Sequence, residues 1–259
     1  MVTHAPVVLL VDIGNTHTHA AVANGERIVA DTRFASESLV LGQAELPLAK
    51  LLRLAKADRL AGAVFCSVVP RLNPPLKRLL RVRWQCAAWQ LTARTVTGIG
   101  IEYPKPATIG ADRLANAIAA HERFGAPVVV VDFGTAVTFD VVDAAGNYTG
   151  GIIAPGLSAM TDYLHEKTAL LPRIKIRAPR TAIGKTTEQA MRIGAVHGYR
   201  GLISGLIDEL RRELAARKLP VVATGGGARL IARQCPKITA VRPLLTLEGL
   251  RLASACGNC

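Results

Sequence analysis

Two stretches of the chain repeat one alternation. An apolar run stops at an aspartate, a glycine follows two positions on, a threonine comes soon after, and a second apolar run leads back to a turn. The first stretch, Val7 to Ala23, reads Val-Val-Leu-Leu-Val-Asp-Ile-Gly-Asn-Thr-His-Thr-His-Ala-Ala-Val-Ala and ends at Asn24-Gly25, a strong two-residue hairpin signal. The second, Ala126 to Thr149, runs through Val128–Val131 into Asp132-Phe-Gly-Thr135 and returns to Gly146-Asn147. Each predicts a β-hairpin with one carboxylate, Asp12 or Asp132, at the tip of a buried strand. Alone, Asp-x-Gly at a strand end reads equally well as an ordinary turn. The repetition predicts two similar lobes.

The remaining pattern mixes both periods. Arg27 to Thr32 is predicted as a third strand, Gln43 to Ala57 as a helix carrying Leu46, Leu48, Leu51, Leu52 and Leu54, Ala61 to Val69 as a buried strand, and Leu72 to Leu80 as a helix. Residues 94–108 are poorly periodic and read as a connector with Tyr103 exposed, after which Gly110-Ala-Asp-Arg113 opens a helix to about Phe124. Beyond the second hairpin come Gly150-Gly-Ile-Ile-Ala-Pro-Gly156, a helix through Thr168 and a basic loop, Arg173 to Arg180. A helix from Glu188 to about Arg217 follows, capped by Thr187 and bent near Gly198 to Gly205. Pro220 to Thr224 is a strand feeding Gly225-Gly-Gly227 and a short helix, and Leu244 to Ala255 is a terminal helix. Strands and helices interleaved in this way predict an α/β fold, with helices flanking mixed sheets.

Composition narrows the class. Half of the 259 residues are hydrophobic, yet the apolar runs are only about five or six residues long against the roughly 20 that span a bilayer. No membrane segment is predicted. The first apolar run has no basic region before it and leads directly to Asp12, so it reads as a first strand and not a signal peptide, which predicts a cytoplasmic protein. Five cysteines, Cys66, Cys86, Cys235, Cys256 and Cys259, are an odd, scattered set that argues against a disulfide framework, and Cys256-x-x-Cys259 reads as a frayed terminus. A net charge of +13 invites nucleic acid as a partner. Aromatics are only 4% of residues, and the basic residues alternate with leucine in Lys50 to Arg59 and Lys77 to Arg83, the spacing of solvated helix faces.

The chemistry these residues suit is phosphoryl transfer. It needs a metal to neutralise phosphate charge, donors around the transferred group, and a carboxylate to position or deprotonate the attacking hydroxyl. Asp12 and Asp132 on duplicated hairpins supply two carboxylates, and Asp112 beside Arg113 lies in a helix first turn, where the dipole favours negative charge. As an isolated pair, Asp112 and Arg113 read equally as an ordinary helix start. Ile183-Gly-Lys-Thr-Thr187 looks like the end of a P-loop, but Pro179 stands where the first glycine belongs, so that reading fails. His17 and His19 share a strand face without a third ligand nearby, which argues against zinc.

Together, Asp12-Ile-Gly-Asn-Thr16, Ser67-Val-Val-Pro70, Tyr103, Gly110-Ala-Asp-Arg113, Asp132-Phe-Gly-Thr-Ala136, Gly150-Gly-Ile-Ile-Ala-Pro-Gly156, Ile183-Gly-Lys-Thr-Thr187 and Thr224-Gly-Gly226 resemble, in order and over nearly the whole chain, the type III pantothenate kinases. The resemblance implies the acetate and sugar kinase/Hsp70/actin fold. Residues 1–118 would form a first ribonuclease-H-like lobe with the phosphate loop, and residues 119–259 a second that binds the cation and nucleotide. It further implies ATP-dependent phosphorylation of pantothenate, the first step toward coenzyme A, by a homodimer that requires Mg²⁺ and either potassium or ammonium. Carried over by position, Asp12, Ile13, Gly14, Asn15, Thr16, His17, Thr18, His19 and Thr135 would bind ATP, with Asp12 near Mg²⁺. Asp112 would be the general base, Tyr103, Gly110, Ala111, Asp112, Arg113 and Thr187 would bind pantothenate, and Asp132 would hold the monovalent cation. His19 stands where many members carry Lys or Arg, and Thr186 where Asn is common. The alternative reading, motivated by the charge, is a nucleic-acid-binding or transcription-accessory protein on the same scaffold. Another is a kinase of a different small hydroxyl compound, which Tyr103 and Gly-Ala-Asp-Arg weigh against.

Overall fold

The computed structural model describes residues 7–57 and 59–255, in two compact units. One comprises the chain up to Arg123 together with the segment from Leu245 onward; the other is Phe124–Leu244. Cys256 and Cys259 lie outside the described residues.

The first unit contains β1 (Val7–Ile13), β2 (His17–Asn24), β3 (Arg27–Ala35), α1 (Glu45–Leu54), β4 (Gly62–Ser67), α2 (Asn73–Trp84), β5 (Ala88–Gln90), a two-residue strand β6 (Gly100–Ile101) and α3 (Ala111–Phe124). Its sheet runs β3-β2-β1-β4-β5, with β1, β2 and β3 antiparallel in sequence and β4 and β5 parallel to β1. Both sheet faces are covered, which is why β1 reads as a continuous apolar run and not an alternating one. Leu9, Val11, Ile13 and Phe65 pack with Leu48 and Leu51 of α1 and Leu76 and Leu80 of α2. Leu10 and Val64, equally buried, point to the opposite face.

The second unit repeats this plan. It holds β7 (Val128–Phe133), β8 (Ala136–Val142), β9 (Asn147–Pro155), α4 (Ala159–Lys167), α5 (Thr187–Ile193), α6 (Tyr199–Glu213), β10 (Val221–Gly225), α7 (Ala228–Ala232) and β11 (Ala240–Val241). Its strands run β11-β10-β7-β8-β9, again a three-stranded antiparallel meander continued by parallel strands. Val129, Val131 and Phe139 pack with Tyr199, Ile203 and Ile207 of α6. The last helix, α8 (Leu245–Ala255), returns to the first unit and packs on β1 and β4.

Several expectations change in detail. Thr186, not Thr187, caps α5: its hydroxyl accepts from the Gln189 N–H at 3.2 Å, so Thr187 is the first helical residue. The irregularity before α6 is a π-helical turn at Gly194–Gly198, one turn earlier than the glycine spacing predicts, and α6 ends at Glu213. The expected lobe boundary after residue 118 falls within α3. β5, β6 and β11 escape the pattern because two or three residues carry no readable period.

Candidate active site

In the first unit the site is built at the C-terminal end of β1. Asp12 lies beside Cys66 of β4 in the parallel register and opposite His19 of β2 in the antiparallel one. The Cys66 Sγ donates to Asp12 Oδ1 at 3.3 Å, and Cys66 is fully buried. Past Asp12, the chain turns through Gly14, whose N–H donates to His17 O at 3.1 Å, and leaves Asn15, Thr16 and His17 exposed. Buried Ser36 braces this turn from below. Its hydroxyl donates to Gly14 O at 2.7 Å, its N–H to Thr16 O at 3.1 Å, and its Oγ lies 3.0 Å from Thr18 Oγ1. Three polar side chains thus stand on a fixed loop, the form of a site for phosphate oxygens.

His19, the register partner of Asp12, is engaged by a carboxylate of β3. Its Nε2 lies 2.9 Å from Asp31 Oδ2, and burial lowers its pKa, an effect only partly opposed by the hydrogen bond to Asp31. Burial thus favours the neutral form of its imidazole. No group of three metal-ligating side chains occurs among the described residues. That does not exclude Mg²⁺, which is held by one or two carboxylates together with substrate phosphates.

The helix α3 brings a second carboxylate to the same sheet face. Asn116 of α3 accepts from the buried Thr246 hydroxyl of α8 at 2.8 Å, and Arg123 donates to Glu248 at 2.8 Å, so α3 is tied to the helix that packs on β1 and β4. Asp112 sits in the first turn of α3 and accepts from the Arg113 N–H at 2.8 Å. Gly110 makes room for this: a Cβ there would lie 2.5 Å from Asp112 Oδ1. Burial raises the Asp112 pKa, with the Arg113 N–H and the Arg113 charge pulling the other way. The Cys66 thiol is pushed well up, first by burial and then by the charges of Asp12 and Asp112. The charges of Asp12 and Asp112 thus both reach the Cys66 thiol. Tyr103 lies on the segment leading to α3 and is 37% exposed.

In the second unit Asp132 occupies the position on β7 that Asp12 holds on β1. It is flanked in register by Thr138 of β8 and Thr224 of β10. Gly225 closes over it at φ +84°, where a Cβ would lie 2.5 Å from Asp132 Oδ1 and 2.7 Å from the Phe133 backbone. A carboxylate among threonines and backbone is an oxygen-rich set, suited to a hard cation. Thr135 is exposed in the turn between β7 and β8, its carbonyl accepting from the Gly156 N–H at 3.1 Å, and Thr187 is exposed at the start of α5.

Comparison with known proteins decides among the readings of this geometry. The sequence profile of the type III pantothenate kinases matches residues 8–209. The chain belongs to that family. A type III pantothenate kinase from Methylacidiphilum infernorum is 44% identical over 250 residues, covering 94% of this chain and 86% of that protein. Among solved structures, a protein from Campylobacter jejuni named for the Baf family of transcriptional activators superposes with a TM-score of 0.61 at 18% identity, over 95% of this chain and 97% of its own. A ROK family glucokinase from Streptomyces griseus, in complex with glucose and AMPPNP, gives 0.54 at 15% identity over 96% and 98%. At those identities the likeness is one of fold, that of the actin-like ATPases and sugar kinases. Sequence reasoning passed over two residues of this pantothenate kinase site. Cys66 was visible only as one of five cysteines, although it directly precedes Ser67-Val-Val-Pro70, and Ser36 carried no motif at all.

Proposed function

We propose that the protein transfers the γ-phosphoryl group of ATP to the primary hydroxyl of pantothenate, with Asp112 as general base. The observation that carries the assignment of the base is the placement of Asp112: a half-buried carboxylate of raised pKa, held in the first turn of α3 by the Arg113 N–H and acting, like Asp12, on the Cys66 thiol. Asp112 accepts the hydroxyl proton as the oxygen bonds to the γ-phosphorus and the bond to ADP breaks. Arg113 and Tyr103, on the same segment, are assigned to the pantothenate carboxylate and chain, with Gly110, Ala111 and Thr187. Asn15, Thr16, His17 and Thr18 receive the ATP phosphates with Gly14 and Ile13, and Thr135 contacts ATP from the second hairpin.

Asp12 is the residue to hold Mg²⁺: its carboxylate, on the strand that leads into the exposed Asn15–Thr16 turn, is a hard oxygen ligand. When bound, the metal neutralises charge on the phosphates. Asp132 is assigned to potassium or ammonium. The large apolar side chains most exposed in the second unit, Ile153, Tyr163, Leu170 and Ile183, fall in one stretch of sequence and support a homodimer. No helix among the described residues is long and apolar enough to cross a membrane, and consumption of ATP fits a cytoplasmic location.

The test is ADP release by the purified protein with ATP, Mg²⁺, potassium and pantothenate, each omitted in turn. Turnover that needs all four is expected, and no pantothenate-dependent turnover would sink the proposal. The net charge of +13 is the observation behind a nucleic-acid role. Oligonucleotide binding that persists at physiological salt would support that role, whereas binding that fades with salt is counterion release.

A further inference from the structure

We infer that Cys66 is a positioning residue for Asp12, and that its thiol sets the carboxylate geometry on which Mg·ATP binding depends. The inference rests on the reading of Asp12 as the Mg²⁺ ligand. Cys66 and Asp12 are register partners on parallel strands, so their side chains leave the sheet on the same face. Cys66 has no exposure to water, and its Sγ donates to Asp12 Oδ1 at 3.3 Å. The neighbouring residue Phe65 points to the other face, into the core with Leu76 and Leu80. Strand alternation thus places Cys66 on the face opposite that core, with its thiol directed at the carboxylate.

The surroundings give that contact a purpose. Asp12 and Asp112 are like charges that both act on Cys66, and two carboxylates in one partly buried cluster repel. A neutral S–H donor fixes one oxygen of Asp12, limits the rotation of its carboxylate, and adds no charge that would compete with a metal. A serine would do the same with a shorter bond, and an alanine would not do it at all. The second unit carries the same arrangement: the register partner of Asp132 on its parallel neighbour is Thr224, again small, buried and able to donate. Asparagine or lysine in this place would overfill a fully buried position, so the donor has to be compact.

Two measurements test this, one of which does not depend on turnover. The infrared S–H stretch of Cys66, isolated by difference against Cys66→Ala, is expected to shift in Asp12→Asn. An unmoved band would overturn the contact. In the second, Mg·ATP binding is followed by calorimetry without pantothenate, alongside thermal melting to verify folding. Cys66→Ala should weaken Mg·ATP binding about 5- to 10-fold, the net size of an ordinary hydrogen bond, since a thiol is a weak donor. It should raise KM for Mg·ATP while leaving KM for pantothenate in place, and Cys66→Ser should restore binding to within about threefold. Equal Mg·ATP affinity in wild type and Cys66→Ala would overturn the inference. If Asp12→Asn itself leaves Mg·ATP binding unchanged, the reading of Asp12 falls, and the infrared result still tells whether the thiol holds the carboxylate.

Discussion

The two aspartate-tipped hairpins share a backbone plan and differ in what surrounds the carboxylate. Around Asp12 the neighbours are side chains: Cys66 on one flanking strand, His19 on the other, and Asn15, Thr16 and His17 exposed on a loop braced by Ser36. Around Asp132 the backbone comes close, with Gly225 at φ +84° against the carboxylate and Thr138 and Thr224 to either side. A duplicated strand-turn-strand therefore fixes where a carboxylate is presented, and the strand neighbours decide what it can hold. In the proposed division of labour the first hairpin, with Asp112 of α3, serves metal-bound phosphate and proton removal, and the second seats a cation.

The largest effect should come from the group that only the first unit has. Asp112→Asn is expected to lower kcat by roughly 10²- to 10⁴-fold, with circular dichroism unchanged, and a variant of near wild-type activity would break the division of labour. Because burial raises the Asp112 pKa, the acid limb of the kcat profile should lie above the ordinary carboxylate range, rising with pH as the base loses its proton. The same shift has the opposite sign for stability. The folded state holds this proton to higher pH than the unfolded state, so the contribution of Asp112 falls as pH rises from the ordinary carboxylate value through the raised one. Asp112→Asn should remove that slope from a thermal-melting series.

Next comes the seat of the second hairpin. Gly225→Ala places a Cβ against Asp132 Oδ1 and the Phe133 backbone at a φ that L-residues avoid. A loss of about 2–3 kcal/mol in unfolding free energy is expected from strain of this kind. In the folded fraction the potassium requirement should rise, with KM for pantothenate little changed. Activation by potassium that is indifferent to Gly225→Ala would detach the cation from Asp132 and level the contrast between hairpins.

How far this contrast was legible in the sequence depends on the range of the contacts involved. Both hairpins, α3 and the turn after β10 stood out because apolar runs punctuated by Asp and Gly are local signals. The return of α8 to the first unit was not legible. Leu245–Ala255 reads as an apolar helix wherever it docks, and the Thr246–Asn116 bond that ties it spans 130 residues. Ser36 and Cys66 were missed for the same reason, since each acts on the Asp12 loop across 22 and 54 residues respectively. The cap of α5 went to the wrong threonine because Thr186 and Thr187 are equivalent in composition and differ only in backbone geometry, Thr186 being extended at φ −137°. Within the site, the carboxylates were readable and their supports were not.

One of those supports gives a smaller effect. Ser36→Ala removes the hydroxyl that donates to the half-buried Gly14 O and meets Thr18 in a buried setting. About 1–2 kcal/mol of stability should be lost, the cost of leaving a buried acceptor without its donor. KM for ATP should rise several-fold while the potassium requirement stays fixed. An equal response of both would mean that the two hairpins are not separable.

The smallest effect, and the one that sharpens the first hairpin most, belongs to His19. Its imidazole is hydrogen-bonded to Asp31 and kept neutral by burial, so at pH 7 it adds no positive charge beside the phosphate loop. His19→Lys supplies that charge next to Asp31, and an ATP affinity gain of about two- to fivefold is expected, the scale of a partly solvated ion pair. The pH dependence separates charge from shape. The folded His19 pKa lies below 6.5, so the unfolded state takes up the proton first and stability is lost as pH falls through 6.5 toward the folded value. Over the same interval the folded protein gains charge at His19, and its KM for ATP should fall. His19→Gln, which cannot be protonated, should show neither the stability slope nor the change in KM. If the glutamine variant keeps both, neither response comes from His19.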